Sequence, residues 1–233
     1  MLQDVFKSGR LLLPDTPPDA PAPVEEVPLT GTLLVVASIL LFLLILRSFL
    51  TVLPYLRDTV LRARGSAALE NSVKVSRDRN LVAAVFLLPA VLLIYRYRLY
   101  DPSFLQGVGP DIRLLVIAGV FFGYLLLRYL LSRWARPRRR YDDYQMAYRA
   151  GYTFFILLMM LALATVGILY LAGVDDLIIN RFLLIESGVI YLIYLLRRGQ
   201  ILSLSCNPLT TFLYLCGLEL LPTALLVVSA VIL

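Results

Sequence analysis

The chain has 233 residues, of which 60% are hydrophobic, and a mean hydropathy of +0.81. Hydropathy at this level excludes an ordinary soluble domain, and the length allows about six membrane spans of roughly 20 residues with short connections. The sequence contains no histidine and has a net charge of +6, so the usual general base at neutral pH and the commonest metal ligand are both missing.

The first 28 residues precede the first apolar run and include six prolines between positions 14 and 28. Chain of this composition favours extended polyproline conformation, about 3.1 Å per residue, over a packed fold. We therefore predict two parts: a proline-rich tail over residues 1–28 and a transmembrane domain over residues 29–233. Whether the tail is a tether for a partner or a disordered leader stays open.

Six apolar windows follow the tail and predict an all-α fold, a polytopic bundle of about six transmembrane helices. The windows cover residues 29–52, 81–99, 112–132, 152–173, 179–197 and 209–232.

Arginine and lysine are divided unevenly between the connections. Fourteen lie after spans one, three and five, among them Arg198 after span five, whereas six lie on the opposite side. The positive-inside rule then predicts that the basic side is cytoplasmic and that both termini are periplasmic. Arg47 and Arg128 lie inside spans, and we expect them to snorkel to the cytoplasmic interface.

Four residues are predicted helix-packing sites. Pro89 in span two and Pro222 in span six each lack a backbone N–H, so the carbonyl four residues earlier loses its donor and a kink is expected. Gly119 and Gly123 in span three have GxxxG spacing, which lets the backbone of a second helix approach closely.

A basic, tyrosine-rich stretch over residues 134–152 leads into span four. Tyrosine favours the headgroup layer and arginine favours anionic lipid, so we expect an interfacial helix. A grip on nucleic-acid phosphates is the alternative, but it needs an open stacking groove, and the positive-inside rule alone requires these arginines. We predict anionic lipid at the cytoplasmic face, and no nucleic acid, as the partner. The predicted headgroup contacts are Arg136, Arg138, Arg139, Arg140, Tyr144 and Tyr148.

Two acids lie inside apolar spans: Glu186 in span five and Glu219 near the middle of span six. Helical spacing places Cys216 at i−3 and Thr223 at i+4 on the face of Glu219, and these four residues form the predicted intramembrane polar site. A central acid costs about 2.5–3.5 kcal/mol on insertion scales, so a partner or protonation is expected. It is either a proton or cation site, or a neutral or paired carboxyl that locks helices together.

The segment FLYLCGLELLP, residues 212–222, resembles the last helix of an uncharacterised family of Bacteroidota inner-membrane proteins, a domain of unknown function. That helix reads roughly F-x-L-Y-L-C-x-L-E-x-x-P. The resemblance extends from the first span to the end, although the proline-rich leader departs from it. It implies a multi-pass protein of a bacterial inner membrane with an envelope role, and it implies no reaction. The matching positions are Phe212, Leu213, Tyr214, Leu215, Cys216, Leu218, Glu219 and Pro222.

We expect a non-enzymatic subunit that scaffolds, anchors or stabilises a larger envelope assembly through integral-membrane partners. The resemblance implies that a secretion or energy-transducing motor complex would be a natural host. The alternative is a small proton-coupled transporter that uses Glu219 and Glu186. An enzyme for lipid-linked substrates is a third interpretation, disfavoured because the chain lacks histidine, HExxH and Walker motifs. No metal or cofactor is predicted, since neither Asp142 and Asp143 nor Asp175 and Asp176 have the further ligands of a calcium loop.

Overall fold

A computed structural model of the chain describes residues 29–61, 73–105, 107–134, 141–203 and 207–232. These residues form helices joined by short turns, and the predicted all-α fold is confirmed, with no strand in the described ranges. Six helical segments are long and apolar enough to cross a membrane. The predicted 1–28 tail lies outside the described residues. The helices are α1 (Leu29–Leu61), α2 (Val73–Arg96), α3 (Pro110–Trp134), α4 (Tyr141–Leu171), α5 (Asp176–Ser203), α6 (Pro208–Leu215) and α7 (Leu221–Ile232).

Several helices are longer than the apolar windows that predicted them. Helix α2 begins eight residues before its window and α4 eleven before, while α5 continues six residues beyond. These extensions lie at the end with the basic connections, because long polar side chains are compatible with a helix that continues past the hydrocarbon layer. At the other end α2 stops at Arg96, three residues early, and Arg98 adopts a left-handed φ of 49°.

The main core lies between α1, α2 and α4. Val52, Phe86 and Ile156, one from each helix, are at most 1% exposed and belong to a single apolar cluster. Helix α5 packs along α4, and the buried Phe154 and Ile190 lie in the contact between them. The bundle therefore has α4 near its centre.

Helix α3 connects the main core to the last span. It packs on α2 on one side and on α7 and the preceding turn on the other. Near the end opposite the basic connections, the buried Ile117 joins a small cluster with Tyr100 and Leu105, and Ala230 of α7 packs against it. These contacts place α3 between α2 and the last span.

The last span is interrupted. Residues Cys216–Leu220 form a π turn between α6 and α7, and the Leu221 N–H bonds to the carbonyl of Cys216, five residues earlier. Pro222 comes after Leu221, close to this turn, and its missing N–H is expected to cause an irregularity here. Pro89, in contrast, lies inside α2, which continues unbroken to Arg96.

No helix of the described part of the chain packs on Gly119 or Gly123, so their predicted role in helix packing stays a prediction. A Cβ placed on either glycine would meet no atom within 4 Å. The reason is rotational: the Tyr124 and Ile117 side of α3 contacts the other helices, and the two glycines lie about 100° or more away. The GxxxG face of α3 is open.

Candidate functional site

Glu219 is the acid at the centre of a buried polar cluster in the last span. It lies within the π turn and is 1% exposed. The turn adds one residue to the helical repeat, which widens the helix and changes the direction of the following side chains. Such π turns inside α-helices frequently occur at functional sites.

Two arginines from two other helices hold the Glu219 carboxylate. Arg128 of α3 places its Nη2 atom 3.0 Å from Oε1 and 2.8 Å from Oε2. Arg198 of α5 pairs with Oε1 through its Nη1 atom. The three residues therefore tie α3, α5 and the last span together by charge.

Tyr194 of α5 completes the cluster. Its hydroxyl oxygen accepts hydrogen bonds from Arg128 at 2.5 Å and from Arg198 at 2.6 Å. Both guanidinium carbons also lie near the face of its ring, 5.3 Å and 6.0 Å from the centroid. The ring is packed against Phe154 of α4, so the position of the hydroxyl is fixed by the core.

A network of hydroxyl groups surrounds the backbone of the π turn. Thr223 donates to the carbonyl of Glu219 at 2.7 Å, and Tyr191 of α5 approaches the same carbonyl at 3.0 Å. The hydroxyls of Tyr191 and Tyr124 also lie 3.0 Å and 3.3 Å from Thr223 Oγ1. As its i+4 spacing predicts, Thr223 lies beside Glu219, although its contact is with the backbone.

Cys216 and Glu186 do not join this cluster in the described structure, and their predicted place in one polar site is wrong. Cys216 begins the π turn and lines an apolar groove with Leu220 and Ala224, because the inserted residue shifts it from the face of Glu219. Glu186 receives a hydrogen bond from Thr165 of α4, and its Oε1 atom is buried without a hydrogen-bond partner. The two predicted acids thus belong to separate environments.

The predicted headgroup contacts fall largely outside the described residues. Arg136, Arg138, Arg139 and Arg140 lie outside the described ranges, as does the side chain of Tyr144. Tyr148 is described and lines a cavity with Arg128, between α2, α3 and α4.

From the sequence, neither arginine of the cluster was predicted to contact Glu219. Arg128 was expected to snorkel to the interface, and the structure shows its guanidinium group paired with Glu219. Arg198, counted among the charges of a connection, has a side chain that is 2% exposed. The sequence contained a signal for this pairing, since a lone acid in a span predicts a cationic partner in another span.

The chemistry of the cluster favours a permanent ion pair between Glu219 and the two arginines. Each carboxylate oxygen of Glu219 faces a guanidinium group, which cannot lose its proton in a protein. Two arginines and one acid repel a metal cation, and among the described residues no three His, Cys, Asp or Glu side chains converge.

Comparison of the chain with protein-family models, with curated proteins and with solved structures finds no match.

Proposed function

We propose that this chain is a non-enzymatic integral subunit that anchors or stabilises a larger envelope assembly in a bacterial inner membrane. A secretion or energy-transducing motor complex is the kind of host we propose. The single observation that carries the proposal is the open GxxxG face of α3.

The contacts of α3 support this role. Tyr124 and Arg128 hold one side of the helix against the last span, through Thr223 and Glu219. The opposite side presents Gly119 and Gly123, flanked by Leu126 and Leu130, which are 58% and 52% exposed. Small residues at this spacing let two transmembrane helices approach until their backbones touch. A fixed helix with such a face is suited to bind a helix of another membrane protein.

Proton-coupled transport is supported less well. It requires a path for protons or water to the carboxylate, and helical pathways contain a hydrated cavity at that point. Glu219 is 1% exposed and lies between two guanidinium groups, with Tyr194 bridging them. This geometry favours the second interpretation of the intramembrane acid, a paired carboxyl that locks helices.

The test replaces both glycines of the open face with leucine. Because a Cβ at Gly119 or Gly123 meets no atom within 4 Å, the Gly119→Leu/Gly123→Leu variant is expected to fold as the unchanged protein does. The unchanged protein and the variant are each produced in the bacterium of origin and purified in mild detergent. Co-purifying membrane proteins are quantified by mass spectrometry. We expect one stoichiometric partner with the unchanged chain and a loss of about tenfold, or 1.4 kcal/mol, with the variant.

The matched control carries two glycine-to-leucine changes that are equally open but do not share a helix. Gly167 of α4 and Gly188 of α5 also have no atom within 4 Å of an added Cβ. The Gly167→Leu/Gly188→Leu variant should keep the partner. The proposal fails if the unchanged protein is monodisperse without a reproducible partner, or if the GxxxG variant retains the partner in full.

A further inference from the structure

The buried cluster contains one more positive charge than negative charge. Arg128 and Arg198 contribute two cations, Glu219 contributes one anion, and the Tyr194 hydroxyl that joins them is neutral. An uncompensated charge inside a membrane bundle is costly, and such charges pair with a counter-charge or contact water. The excess positive charge therefore calls for an anion near the cluster.

Arg128 is the member of the cluster that can reach this anion. Its Nη2 atom is used by Glu219 and Tyr194, whereas its Nε atom is buried and has no hydrogen-bond partner. Its side chain is 23% exposed, against 2% for Arg198, and it forms part of the wall of a cavity. Arg128 therefore brings positive charge to the wall of the cavity.

This headgroup cavity, as we name it, has a volume of about 400 Å³ and lies between α2, α3 and α4. Besides Arg128, its polar lining consists of Asn80, Tyr129, Tyr148 and Tyr152, with no acidic side chain among the lining residues. All of these side chains can donate hydrogen bonds. The lining is therefore complementary to an anion rich in oxygen atoms.

A second arginine orients the amide of Asn80. Arg79 is 1% exposed, and its Nε and Nη2 atoms donate to Asn80 Oδ1 at 3.3 Å and 3.1 Å. Since the amide oxygen is occupied, the NH₂ group of Asn80 is left to donate to a ligand. The Arg79 guanidinium also lies 5.9 Å from the centre of the Tyr152 ring, which places a second cation next to the cavity.

The headgroup cavity lies near the end of the bundle that carries the basic connections. Arg128 is six residues from the end of α3, and Asn80 and Tyr148 are each seven residues from the start of their helices. These offsets correspond to about 9–11 Å along the helix axes, measured from the end of the bundle with the basic connections. The positive-inside rule assigns that end to the cytoplasmic leaflet, where anionic lipids are concentrated.

A largely apolar groove adjoins this cavity and extends towards the opposite end of the bundle, where Asp111 at the start of α3 is part of its lining. Its volume is about 600 Å³, its walls are α1, α2 and α3, and it shares Ala84 and Leu87 with the headgroup cavity. From Leu125 in the cavity to Ala118 in the groove is seven residues, or about 10 Å. One bilayer leaflet is about 15 Å deep, so an acyl chain below the phosphate would run along this groove.

We infer that the chain binds one anionic phospholipid, with its phosphate in the headgroup cavity beside Arg128 and Asn80 and an acyl chain in the apolar groove. The phosphate supplies the negative charge that the cluster lacks. A zwitterionic lipid would bring its ammonium group towards Arg128 and Arg79, which disfavours it. The apolar continuation favours a lipid over free phosphate.

The test measures lipid retention by native mass spectrometry of the full chain in detergent. The protein is titrated with phosphatidylglycerol and with phosphatidylcholine that carry the same acyl chains. We expect phosphatidylglycerol to bind at least about tenfold more tightly, a difference of 1.4 kcal/mol. The Asn80→Leu/Tyr148→Phe variant should lose at least about fivefold of the phosphatidylglycerol affinity, because it removes two donors without touching the ion cluster.

A second variant closes the junction of the two cavities. Ala84→Phe should abolish retention of the lipid, whereas Ala164→Phe on the exposed face of α4 should leave it unchanged. If Ala84→Phe does not fold, the Asn80/Tyr148 variant decides. Equal binding of the two lipids, or full binding by the Asn80/Tyr148 variant, would overturn the inference. Displacement of phosphatidylglycerol by millimolar inorganic phosphate would overturn the assignment to a lipid.

Discussion

The carboxylate of Glu219 lies between the guanidinium groups of Arg128 and Arg198, which belong to different helices. In the low-dielectric interior of the bundle, one carboxylate is paired with two guanidinium groups. Loss of the carboxylate therefore leaves more charge unpaired than loss of either arginine. The fold therefore depends more on Glu219 than on either arginine taken alone.

Replacing Glu219 with glutamine should destabilise the protein strongly. The amide has nearly the same shape but leaves two buried guanidinium groups without a counter-charge, for which we expect a loss of about 3–5 kcal/mol. Thermal and denaturant unfolding in detergent micelles would measure the change.

Glu186→Gln is the matched control for that substitution, since it changes a carboxylate of another span to the same amide. Glu186 has a hydrogen bond from Thr165 and no ion pair among the described residues, so we expect a change of less than about 1 kcal/mol. Equal losses for the two variants would contradict a special role of the Glu219 cluster.

Replacing Arg198 with methionine should cost less than replacing Glu219 with glutamine. It leaves Arg128 and Glu219 as a balanced pair, whereas Glu219→Gln leaves two cations. The double variant should then lose less stability than the sum of the single losses, by about 0.5–3 kcal/mol, because it removes partners from one network. A double-mutant cycle on unfolding free energies measures this coupling, and strict additivity would argue against a direct ion pair.

The six spans could be predicted because they depend on local hydropathy, which is present in each 20-residue window. The adjacency of Glu219 and Thr223 could also be predicted, since it depends on a spacing of four residues within one helix. Helix ends were less predictable: α4 begins at Tyr141, within a polar stretch that the apolar window excludes.

The partners of Glu219 could not be read from spacing, because they are long-range contacts. Arg128 is 91 residues away along the chain, and no local pattern specifies which basic residue turns inwards. The rule that assigned Arg128 to the interface is correct for an arginine facing lipid, but a buried acid on a neighbouring helix competes with the headgroups. The π turn could not be predicted from the sequence either, although Pro222 lies close to it.

Thr223→Val should destabilise the last span moderately. Valine preserves the shape of the side chain but removes the hydroxyl that contacts the Glu219 carbonyl, Tyr191 and Tyr124. Tyr191 keeps its own bond to the carbonyl, so we expect a loss of about 1–3 kcal/mol, less than for Glu219→Gln. In hydrogen-exchange measurements, the substitution should increase the exchange rate of amides in α7 more than that of amides in α2. Uniform protection in the variant would contradict the role assigned to this hydroxyl.

Two ion pairs lie at the opposite end of the bundle, and their burial predicts different contributions to stability. Arg113 and Asp101 are 2.8 Å apart with side chains 16% and 27% exposed, whereas Arg96 and Asp176 are 2.9 Å apart and more than half exposed. Exposed pairs contribute about 0–1 kcal/mol and are screened by salt, so Asp176→Asn should change the unfolding free energy by less than 1 kcal/mol. Asp101→Asn should cost more, about 1–3 kcal/mol, because it leaves a half-buried guanidinium group unpaired. Unfolding measured at about 0.05 M and 0.5 M salt would separate the two. A larger loss for Asp176→Asn would reverse the order that burial predicts.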